Sequence, residues 1–268
     1  MFSLPFFLQT PEEKKVIARW KQEEIDRRLK HYNVVDWSPD IEWSKELNIR
    51  AESYQVRNLF PDCPVINTFD VNKPDVPGIV SPGRRWLYAV MRLPRGTKLD
   101  TWYGAKIGSV MFDGPVLIPS LHEASGKTWK YAPWMSHTPA EVISLRGGTK
   151  RAKGSVIVAG LGLGYQLVDV ALRKQVTSLT LVERDRSLVD WLLPVIRPYL
   201  GRFCDDLKLI VGDAFKELPK LHADVALVDI FDSYGHNDYD QRRLRESCDN
   251  IKYIWCWGTA QTKDRDIW

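Results

Sequence analysis

Short apolar runs alternate with amphipathic stretches from about residue 154 to residue 257. Apolar runs bounded by turn residues are typical of buried parallel strands, and apolar residues recurring every three to four positions are typical of helices. The predicted strands span residues 155–159, 178–183, 207–211, 225–229 and 253–257. The predicted helices lie near residues 165–174, 187–200, 214–219 and 239–248. With right-handed crossovers, this order predicts an α/β fold with a doubly wound, mainly parallel Rossmann-like sheet.

The chain before residue 83 lacks this alternation. Thr10 is a suitable N-cap with Pro11 directly after it, and apolar residues at helical spacing follow, so a helix is predicted for residues 11–32. Prolines are frequent between residues 33 and 82. Because proline breaks long elements, this segment is predicted to form short turns and helices.

Residues 84–121 are predicted to be rich in β-structure, with a strand at 86–93 and a turn at 94–97. A hairpin of residues 106–112 and 115–118 is predicted because Asp113-Gly114 is a favoured two-residue turn. Residues 122–153 are predicted to be loop-like around one short helix at 138–145. We therefore expect a helical and irregular β region at 1–105, a hairpin and linker at 106–153, and a nucleotide-binding domain at 154–268.

Three glycines, Gly160, Gly162 and Gly164, follow the first strand of the predicted sheet at alternate positions. Glycine allows a tight turn and a close ligand, and the next helix offers free N–H groups to an anion. A plain strand-to-helix connection is the alternative. The dinucleotide fingerprint is not met, because Tyr165 stands at its sixth position, and the Walker pattern is absent. The turn therefore favours an adenosine ligand whose tail lacks a pyrophosphate, such as S-adenosylmethionine or its decarboxylated form.

Carboxylates stand at the ends of the next three predicted strands, at Glu183, Asp213 and Asp229. In such sheets the ligand binds beyond the carboxyl ends of the strands, where the strand order reverses. Glu183 follows the glycine turn by about twenty residues, the distance at which a carboxylate accepts ribose hydroxyls. Asp213 is placed to accept from the adenine amino group, with Ala214 and Phe215 beside the ring. Asp229 then faces the reacting end of the ligand.

Composition and charge argue against several classes of binding partner and site. The 268-residue chain has a formal net charge of only +4 and no arginine-rich tract, which disfavours a nucleic-acid partner. Its four cysteines form no Cys-x-x-Cys pair and its five histidines no His-Glu-x-x-His motif, so no metal site is predicted. The apolar residues 1–8 fit neither a signal peptide nor a membrane span. We expect a cytoplasmic protein with a small-molecule acceptor and no membrane partner.

From about residue 107 to residue 259 the chain resembles class I S-adenosylmethionine-dependent methyltransferases, and within that superfamily the spermidine synthase (aminopropyltransferase) branch. The segments that carry the resemblance are residues 156–164, 182–185, 211–215 and 228–232. Asp229 and Asp232 match the spacing of two carboxylates in the family's Asp-Ser-Ser-Asp-Pro stretch. The upstream residues 112–114 are similar to the hairpin before the family's catalytic domain.

The resemblance implies a transferase that uses S-adenosylmethionine or its decarboxylated form. It implies catalytic roles for Asp229 and Asp232. The implied cofactor-binding residues are Gly160, Leu161, Gly162, Gly164, Glu183, Arg184, Asp213, Ala214 and Asp229.

The sequence also departs from the spermidine synthase pattern. No proline follows Asp232, and Leu163 stands where those enzymes carry an acidic residue in the glycine turn. The chain stops nine residues after Thr259, so the family's last helix and antiparallel strand pair are expected to be missing. The fifth strand would then be an edge that a homo-oligomer or the N-terminal segment could cover. The Asp/Asn-Pro-Pro-Tyr motif is absent, which disfavours DNA-base methylation of that type.

Methyl transfer is the leading interpretation, and aminopropyl transfer to a polyamine is the alternative. The two reactions differ in the cofactor tail, because S-adenosylmethionine carries a carboxylate that needs a hydrogen-bond donor or a cation and its decarboxylated form does not. Lys153 and the N–H groups of residues 162–165 are candidates for that role. Asp229 either orients or deprotonates an acceptor amine, or only binds the cofactor's amino group. His137 either reaches the cofactor or is structural. A non-catalytic binding or scaffold protein with a methyltransferase-like fold is a further alternative.

Overall fold

The computed structural model describes residues 15, 18–19, 22–23, 33–35, 59–70, 73, 75–100, 109–112, 115–231 and 237–258. Most of the helix predicted for residues 11–32 lies outside these residues. The positions within it that the structure describes, residues 15, 18–19 and 22–23, are helical. Asp232 and the predicted turn Asp113-Gly114 also lie outside the described residues.

The described strands before the parallel sheet are β1 (Asn33–Val35), β2 (Val65–Ile66), β3 (Ile79–Val80), β4 (Trp86–Leu93), β5 (Lys98–Asp100), β6 (Ser109–Phe112), β7 (Val116–Ser125), β8 (Thr128–Trp129) and β9 (Met135–Ser136). The longest pairing joins β4 and β7 in antiparallel register. Strands β2 and β3 pair with β4, and β8 and β9 pair with β7. Strands β1, β6 and β5 form a separate sheet.

The predicted hairpin around residues 113–114 is wrong. Strand β6 pairs with β1 and β5, whereas β7 pairs with β4 in another sheet. The Asp-Gly signal is local, but the β4–β7 ladder runs through eight residue pairs and buries Tyr88 and Leu121 completely. That burial outweighs the preference of a two-residue turn. The expectation of a loop from residue 122 is wrong in part, because β7 continues to Ser125 and β8 and β9 follow.

Helix α1 (Pro139–Thr149) connects this region to the parallel sheet. It begins where predicted, because the Thr138 side chain accepts a hydrogen bond from the backbone N–H of Glu141 at 3.4 Å. It runs four residues beyond the predicted end at 145. Its last turn packs on the sheet at Gly148, where a Cβ would overlap the Trp255 ring system.

The parallel sheet contains β10 (Gly154–Ala159), β11 (Val176–Glu183), β12 (Lys208–Val211), β13 (Ala223–Val228) and β14 (Ile251–Cys256). The helices that alternate with these strands are α2 (Tyr165–Ala171), α3 (Arg186–Ile196), α4 (Ala214–Glu217) and α5 (Asp238–Glu246). The strand order is β12-β11-β10-β13-β14, and every pairing is parallel. The predicted doubly wound, Rossmann-like sheet is therefore confirmed, and its order reverses between β10 and β13.

Both faces of the parallel sheet are buried, as the continuous apolar runs predict. Val156 and Val158 of β10 join a core that includes residues of α1, α2 and α3 and the antiparallel residues Trp86 and Leu121. Ile157 and Ala159 join a second core on the opposite face, with residues of α4 and α5. The first core therefore joins the N-terminal strands to the sheet edge that carries the glycine turn.

Strand β14 lies at one end of the sheet and pairs only with β13 among the described strands. The fifth strand is thus at an edge, while its coverage by a second copy stays a prediction. The division at residues 105 and 153 also stays a prediction. Within the described part of the chain, no helix combines the length and apolar character that crossing a bilayer requires.

Candidate active site

A cavity of about 290 Å³ opens at the carboxyl ends of the parallel strands. Residues that follow β10, β11, β12 and β13 line it, because parallel strands end at one edge of the sheet. The antiparallel region contributes Trp86, Trp134 and Met135, and α1 contributes Glu141. The volume is close to the lower end of the roughly 300–1,000 Å³ of small-molecule sites. The cavity includes the point of strand-order reversal, where such folds place ligands.

The cavity brings together most of the residues predicted from the sequence. The predicted cofactor-binding residues that line it are Gly160, Leu161, Gly162, Glu183, Arg184, Asp213, Ala214 and Asp229. Gly164 does not line it, but is buried at the N-cap of α2 with φ of 76°. Asp232 lies outside the described residues. What these side chains bind stays a prediction.

The glycine turn approaches its neighbours too closely for a side chain. Gly160 has φ of 100°, and a Cβ there would overlap the carbonyl oxygen of Asp229. Gly162 has φ of 48°, and a Cβ there would overlap the Met135 sulfur. The same sulfur accepts the backbone N–H of Leu163 at 3.1 Å. The glycines thus let the turn pack between β9 and the end of β13.

Three of the groups suggested for binding a ligand carboxylate are not available at this cavity. Lys153 precedes β10, is exposed and does not line the cavity. The length of β10 separates it from the glycine turn by about 20 Å at roughly 3.3 Å per residue. The N–H groups of Leu163 and Gly164 already donate to Met135 and to the Leu161 carbonyl. Of the candidates for a counter-charge, Lys153 is therefore wrong, because it is exposed and outside the cavity wall.

Glu183 ties the end of β11 to the glycine turn. Its Oε2 accepts the backbone N–H of Leu161, and its Oε1 accepts the backbone N–H of Asp185, both at 2.8 Å. The residue is 9% exposed and lines the cavity. A carboxylate has about four acceptor positions, so this side chain can still accept from ligand hydroxyls. Its position suits the predicted ribose contact.

Asp213 begins the short helix α4 beside the cavity. Its Oδ1 accepts the backbone N–H of Phe215 at 3.0 Å, as an N-cap residue does. The neighbouring Phe215 ring lies edge-on to Phe231, with 6.5 Å between the ring centroids. Both aromatic residues line the cavity with Ala214. A planar ring and a carboxylate thus stand together where an adenine was predicted.

Asp229 and Glu141 are two carboxyl residues that both line the cavity. Asp229 follows β13 and is held by its backbone N–H, which donates to the Ala159 carbonyl at 2.9 Å. Burial raises the pKa of the Asp229 carboxyl to about 7. Burial, with the neighbouring charge of Asp229, raises the pKa of the Glu141 carboxyl to about 8. Near neutral pH the pair therefore retains a proton, which suits proton transfer or the binding of a cation.

Gln166 lines the same cavity from the first turn of α2. The residue is 4% exposed, and neither its Oε1 nor its Nε2 has a hydrogen-bond partner among the described residues. A buried amide normally makes hydrogen bonds. An uncommitted amide in a cavity wall is therefore a group that a ligand can use.

Asp185 joins the antiparallel region to the parallel sheet. Its Oδ1 caps α3 by accepting the backbone N–H groups of Ser187 and Leu188. Its Oδ2 accepts the Trp86 indole N–H and lies 3.0 Å from Nε of Arg85. Burial opposes ionisation, but the hydrogen bonds and the Arg85 charge outweigh it and lower the pKa of Asp185. This contact fixes the wall of the cavity that Trp86 forms.

Three residues of this site were not assigned a role from the sequence. Glu141 sits in a capping pattern that already explains its presence at a helix start. Asp185 belongs to the segment 182–185 but has only the spacing of an N-cap. Gln166 gives the clearest signal, since it is a polar residue on the buried side of a helix in which Asp169 is the other charged or amide residue and is not buried. His137 is fully buried with its ring 5.6 Å from the Tyr165 ring, outside the cavity wall, which favours the structural alternative.

Comparisons with known proteins give resemblance only at the level of the fold. No protein-family model matches the chain, and no curated protein does. Among solved structures, spermidine synthase from Thermotoga maritima aligns with a TM-score of 0.37 and 14% identity, over 64% of this chain and 62% of that one. A methyltransferase from Geobacter sulfurreducens aligns with a TM-score of 0.31 and 18% identity, over 43% and 57%.

Precorrin 8W decarboxylase from Methanobacterium thermoautotrophicum aligns with a TM-score of 0.31 and 21% identity, over 44% of this chain and 62% of that one. In all three cases this chain spans less than two thirds of the matched chain. Several of the similar structures are methyltransferases by description, and one is a spermidine synthase.

Proposed function

We propose that this chain binds S-adenosylmethionine, or a sulfonium nucleoside of the same class, and transfers a methyl group from it to a small-molecule acceptor. One observation carries the proposal. The glycine turn and the carboxylates Glu183, Asp213 and Asp229 line one cavity at the reversal of strand order. Each of these groups matches one part of an adenosine with a charged tail.

The adenosine end is assigned to the β11 and β12 side of the cavity. Glu183 would accept from the ribose hydroxyls, and Asp213 would accept from the adenine amino group. Phe215 and Ala214 would contact the faces of the base. The ligand tail would then extend past the glycine turn to Asp229, next to which the turn is packed.

The bound sulfonium supplies an electrophilic carbon, so the residues of the chain have only to position and deprotonate the acceptor. Asp229 is the candidate general base. A raised pKa of about 7 places this carboxyl near the operating pH, where proton transfer is most effective. Trp134 and Trp86 would exclude water from the acceptor side, since their rings lie edge-on at the cavity wall.

Aminopropyl transfer from decarboxylated S-adenosylmethionine is a second candidate, favoured by the charge of the cavity. Among the described residues, the lining cations are Arg85 and Arg184, and both lie on the β11 side. The carboxyls of Glu141 and Asp229 stand where the tail would end. A tail without a carboxylate avoids repulsion from that pair.

Calorimetric titration of the full chain with S-adenosylmethionine, decarboxylated S-adenosylmethionine and NAD tests these candidates. Binding of the first alone supports methyl transfer, and preference for the second supports aminopropyl transfer. The Asp229→Asn variant should then lose turnover while its binding of the nucleoside stays detectable by calorimetry. Asp206→Asn, an exposed carboxylate outside the cavity, is the matched control. Binding of NAD alone would overturn the proposal, and no binding at all would favour a scaffold.

A further inference from the structure

The cavity extends beyond the part assigned to the nucleoside. Residues that follow β12 line it at one end, and Trp257, the first residue after β14, lines it at the other. The strand order places four strand spacings between these ends, about 19 Å at roughly 4.8 Å each. A nucleoside placed from Asp213 to Asp229 reaches only as far as the end of β13. The wall at the end of β14 is therefore left for a second ligand.

The wall at this end of the cavity is apolar. Ile230 and Phe231, which follow Asp229, line it together with Trp257, and all three are half-buried. Ile230 and Phe231 pack on the core of one sheet face, and Trp257 packs on the core of the opposite face. These side chains thus enclose the ends of β13 and β14 from both sides. A ligand bound here must present mainly apolar surface, because polar groups against this wall would lose their hydrogen bonds to water.

Hydrogen bonds from three elements hold Trp257 in place. Its indole N–H donates to Oγ of Ser144 on α1 at 2.8 Å, and its backbone N–H donates to the Val228 carbonyl of β13 at 2.9 Å. Its carbonyl accepts from Nε2 of Gln241 on α5 at 2.9 Å. Ser144 is 4% exposed, and Gln241 is completely buried. Because the indole has one polar atom and Ser144 already satisfies it, the ring offers the cavity only its aromatic surface.

We propose that Trp257 is the platform of an acceptor subsite for a planar aromatic or heteroaromatic molecule. A fixed indole with no donor to spare recognises its ligand by ring stacking, which favours planar rings over saturated or flexible groups. Ile230 and Phe231 would contact the remaining surface of the same ligand ring. A hydroxyl or ring N–H of the acceptor would then lie toward Asp229, which directly precedes them in the chain.

The inference rests on the proposed function and deepens it by naming the class of acceptor. Aliphatic polyamines, the acceptors in aminopropyl transfer, are the competing class. They are flexible and carry charges along the chain, so an apolar wall around a fixed ring would desolvate them without supplying partners. The two classes therefore give opposite orders of affinity at this wall.

Calorimetry of the full chain saturated with S-adenosylhomocysteine tests the subsite, because this demethylated nucleoside cannot donate a methyl group. The probes are 2-naphthol and decahydro-2-naphthol, which share a carbon skeleton and a hydroxyl but differ in planarity, and 1,4-diaminobutane. We expect 2-naphthol to bind about threefold to tenfold more tightly than decahydro-2-naphthol, the advantage of ring stacking. The diamine should bind more weakly than 2-naphthol.

Trp257→Leu should bring the affinities for the two naphthols to within about twofold of each other, because leucine has no ring to stack. Trp257→Phe should restore part of the preference. Tyr253→Leu is the matched control, since it removes an exposed aromatic residue of β14 that lies outside the cavity wall. This control should retain the preference for 2-naphthol. Circular dichroism and urea unfolding identify any variant that fails to fold, and the comparison of probes in the wild-type chain does not depend on the variants.

Absence of 2-naphthol binding, equal affinities for the two naphthols, or a preference that persists unchanged in Trp257→Leu would each overturn the subsite. Tighter binding of 1,4-diaminobutane than of 2-naphthol would also overturn it and would favour aminopropyl transfer. If S-adenosylhomocysteine does not bind, the proposed function fails, and the same titrations into the free chain decide the subsite. A preference for 2-naphthol that Trp257→Leu removes would then support it, and no preference would overturn it.

Discussion

The carboxylate of Glu183 accepts the backbone N–H of Leu161 at 2.8 Å and so joins the end of β11 to the glycine turn after β10. The second oxygen accepts the N–H of Asp185 at the same distance. One side chain thus sets the positions of two adjacent loops at the cavity. A ligand that contacts Glu183 would meet a carboxylate that the backbone already holds in place.

Glu183→Gln should weaken both the fold and nucleoside binding. A glutamine amide has one acceptor oxygen, so one of the two backbone N–H groups would face an NH₂ group. We expect the free energy of unfolding to fall by about 1–3 kcal/mol and the nucleoside affinity to fall at least about tenfold. Urea unfolding and calorimetry measure these effects. Glu246→Gln, on the exposed surface of α5, should change the unfolding free energy by less than about 0.5 kcal/mol.

The carboxyl pair of Glu141 and Asp229 should make stability decrease with rising pH. Burial raises their native pKa values to about 8 and about 7, above the value of about 4 expected in the unfolded chain. Between roughly pH 4 and pH 8 the native state therefore binds more protons than the unfolded state. The free energy of unfolding should fall across this range, by at most about 1.4 kcal/mol per pH unit for each carboxyl.

Urea unfolding of the full chain at intervals from pH 5 to pH 9 measures this dependence. Glu141→Gln should flatten the profile, because it removes one titrating group and its repulsion of Asp229. Asp190→Asn, an exposed carboxylate on α3, should leave the slope unchanged. Six other charged residues also line the cavity and face the same solvent-filled space as this pair: Arg85, Glu123, Glu183, Arg184, Asp185 and Asp213. A profile that is equally steep in wild type and Glu141→Gln would contradict the assignment to this pair.

The parallel sheet could be predicted because its information is local. Each strand is an apolar run of its own, as in residues 156–159, and the alternation with helices leaves few possible topologies. The antiparallel region was harder because β4 and β7 pair across more than twenty intervening residues. No local pattern near Asp113-Gly114 indicates that the following strand, β7, pairs with a strand so far away in the sequence.

The site divides in the same way. Carboxylates at strand ends follow from the sheet topology, so Glu183, Asp213 and Asp229 could be placed at one edge before the structure was known. Glu141 and Met135 come from outside the parallel sheet, and only the packing of α1 and β9 brings them to the cavity. The prediction for Lys153 was wrong because this residue precedes β10, whereas the glycine turn follows β10. The two therefore lie at opposite ends of the strand.

The hydrogen bond from the Trp86 indole to Asp185 should stabilise the junction between the two sheets. A double-mutant cycle of Trp86→Phe and Asp185→Asn should give a coupling energy of about 1–2 kcal/mol in urea unfolding. Because the native pKa of Asp185 is lowered, this carboxylate contributes fully above about pH 4, and its contribution is lost as the pH falls through the native pKa. Trp86→Phe combined with Asp190→Asn should instead be additive within about 0.5 kcal/mol.

Gly162 should be intolerant of substitution for two separable reasons. Its positive φ of 48° strains any other residue, and an added Cβ would overlap the Met135 sulfur. Gly83 has φ of 76° with open space around the Cβ position, so Gly83→Ala measures the backbone cost alone, about 1–2 kcal/mol. Gly162→Ala should cost at least about 1 kcal/mol more, because overlap with a packed side chain adds to the strain.

Met135→Ala supplies the test of that extra cost. It should destabilise the wild-type chain by removing a buried side chain, yet the double variant with Gly162→Ala should be less destabilised than the sum of the two changes. The losses in unfolding free energy from Met135→Ala and Gly83→Ala should be additive, because no atom lies within 4 Å of a Cβ added at Gly83. If Gly162→Ala and Gly83→Ala lower the unfolding free energy equally, the glycine turn relaxes away from Met135. The cavity wall formed by the turn and Met135 would then not be rigid.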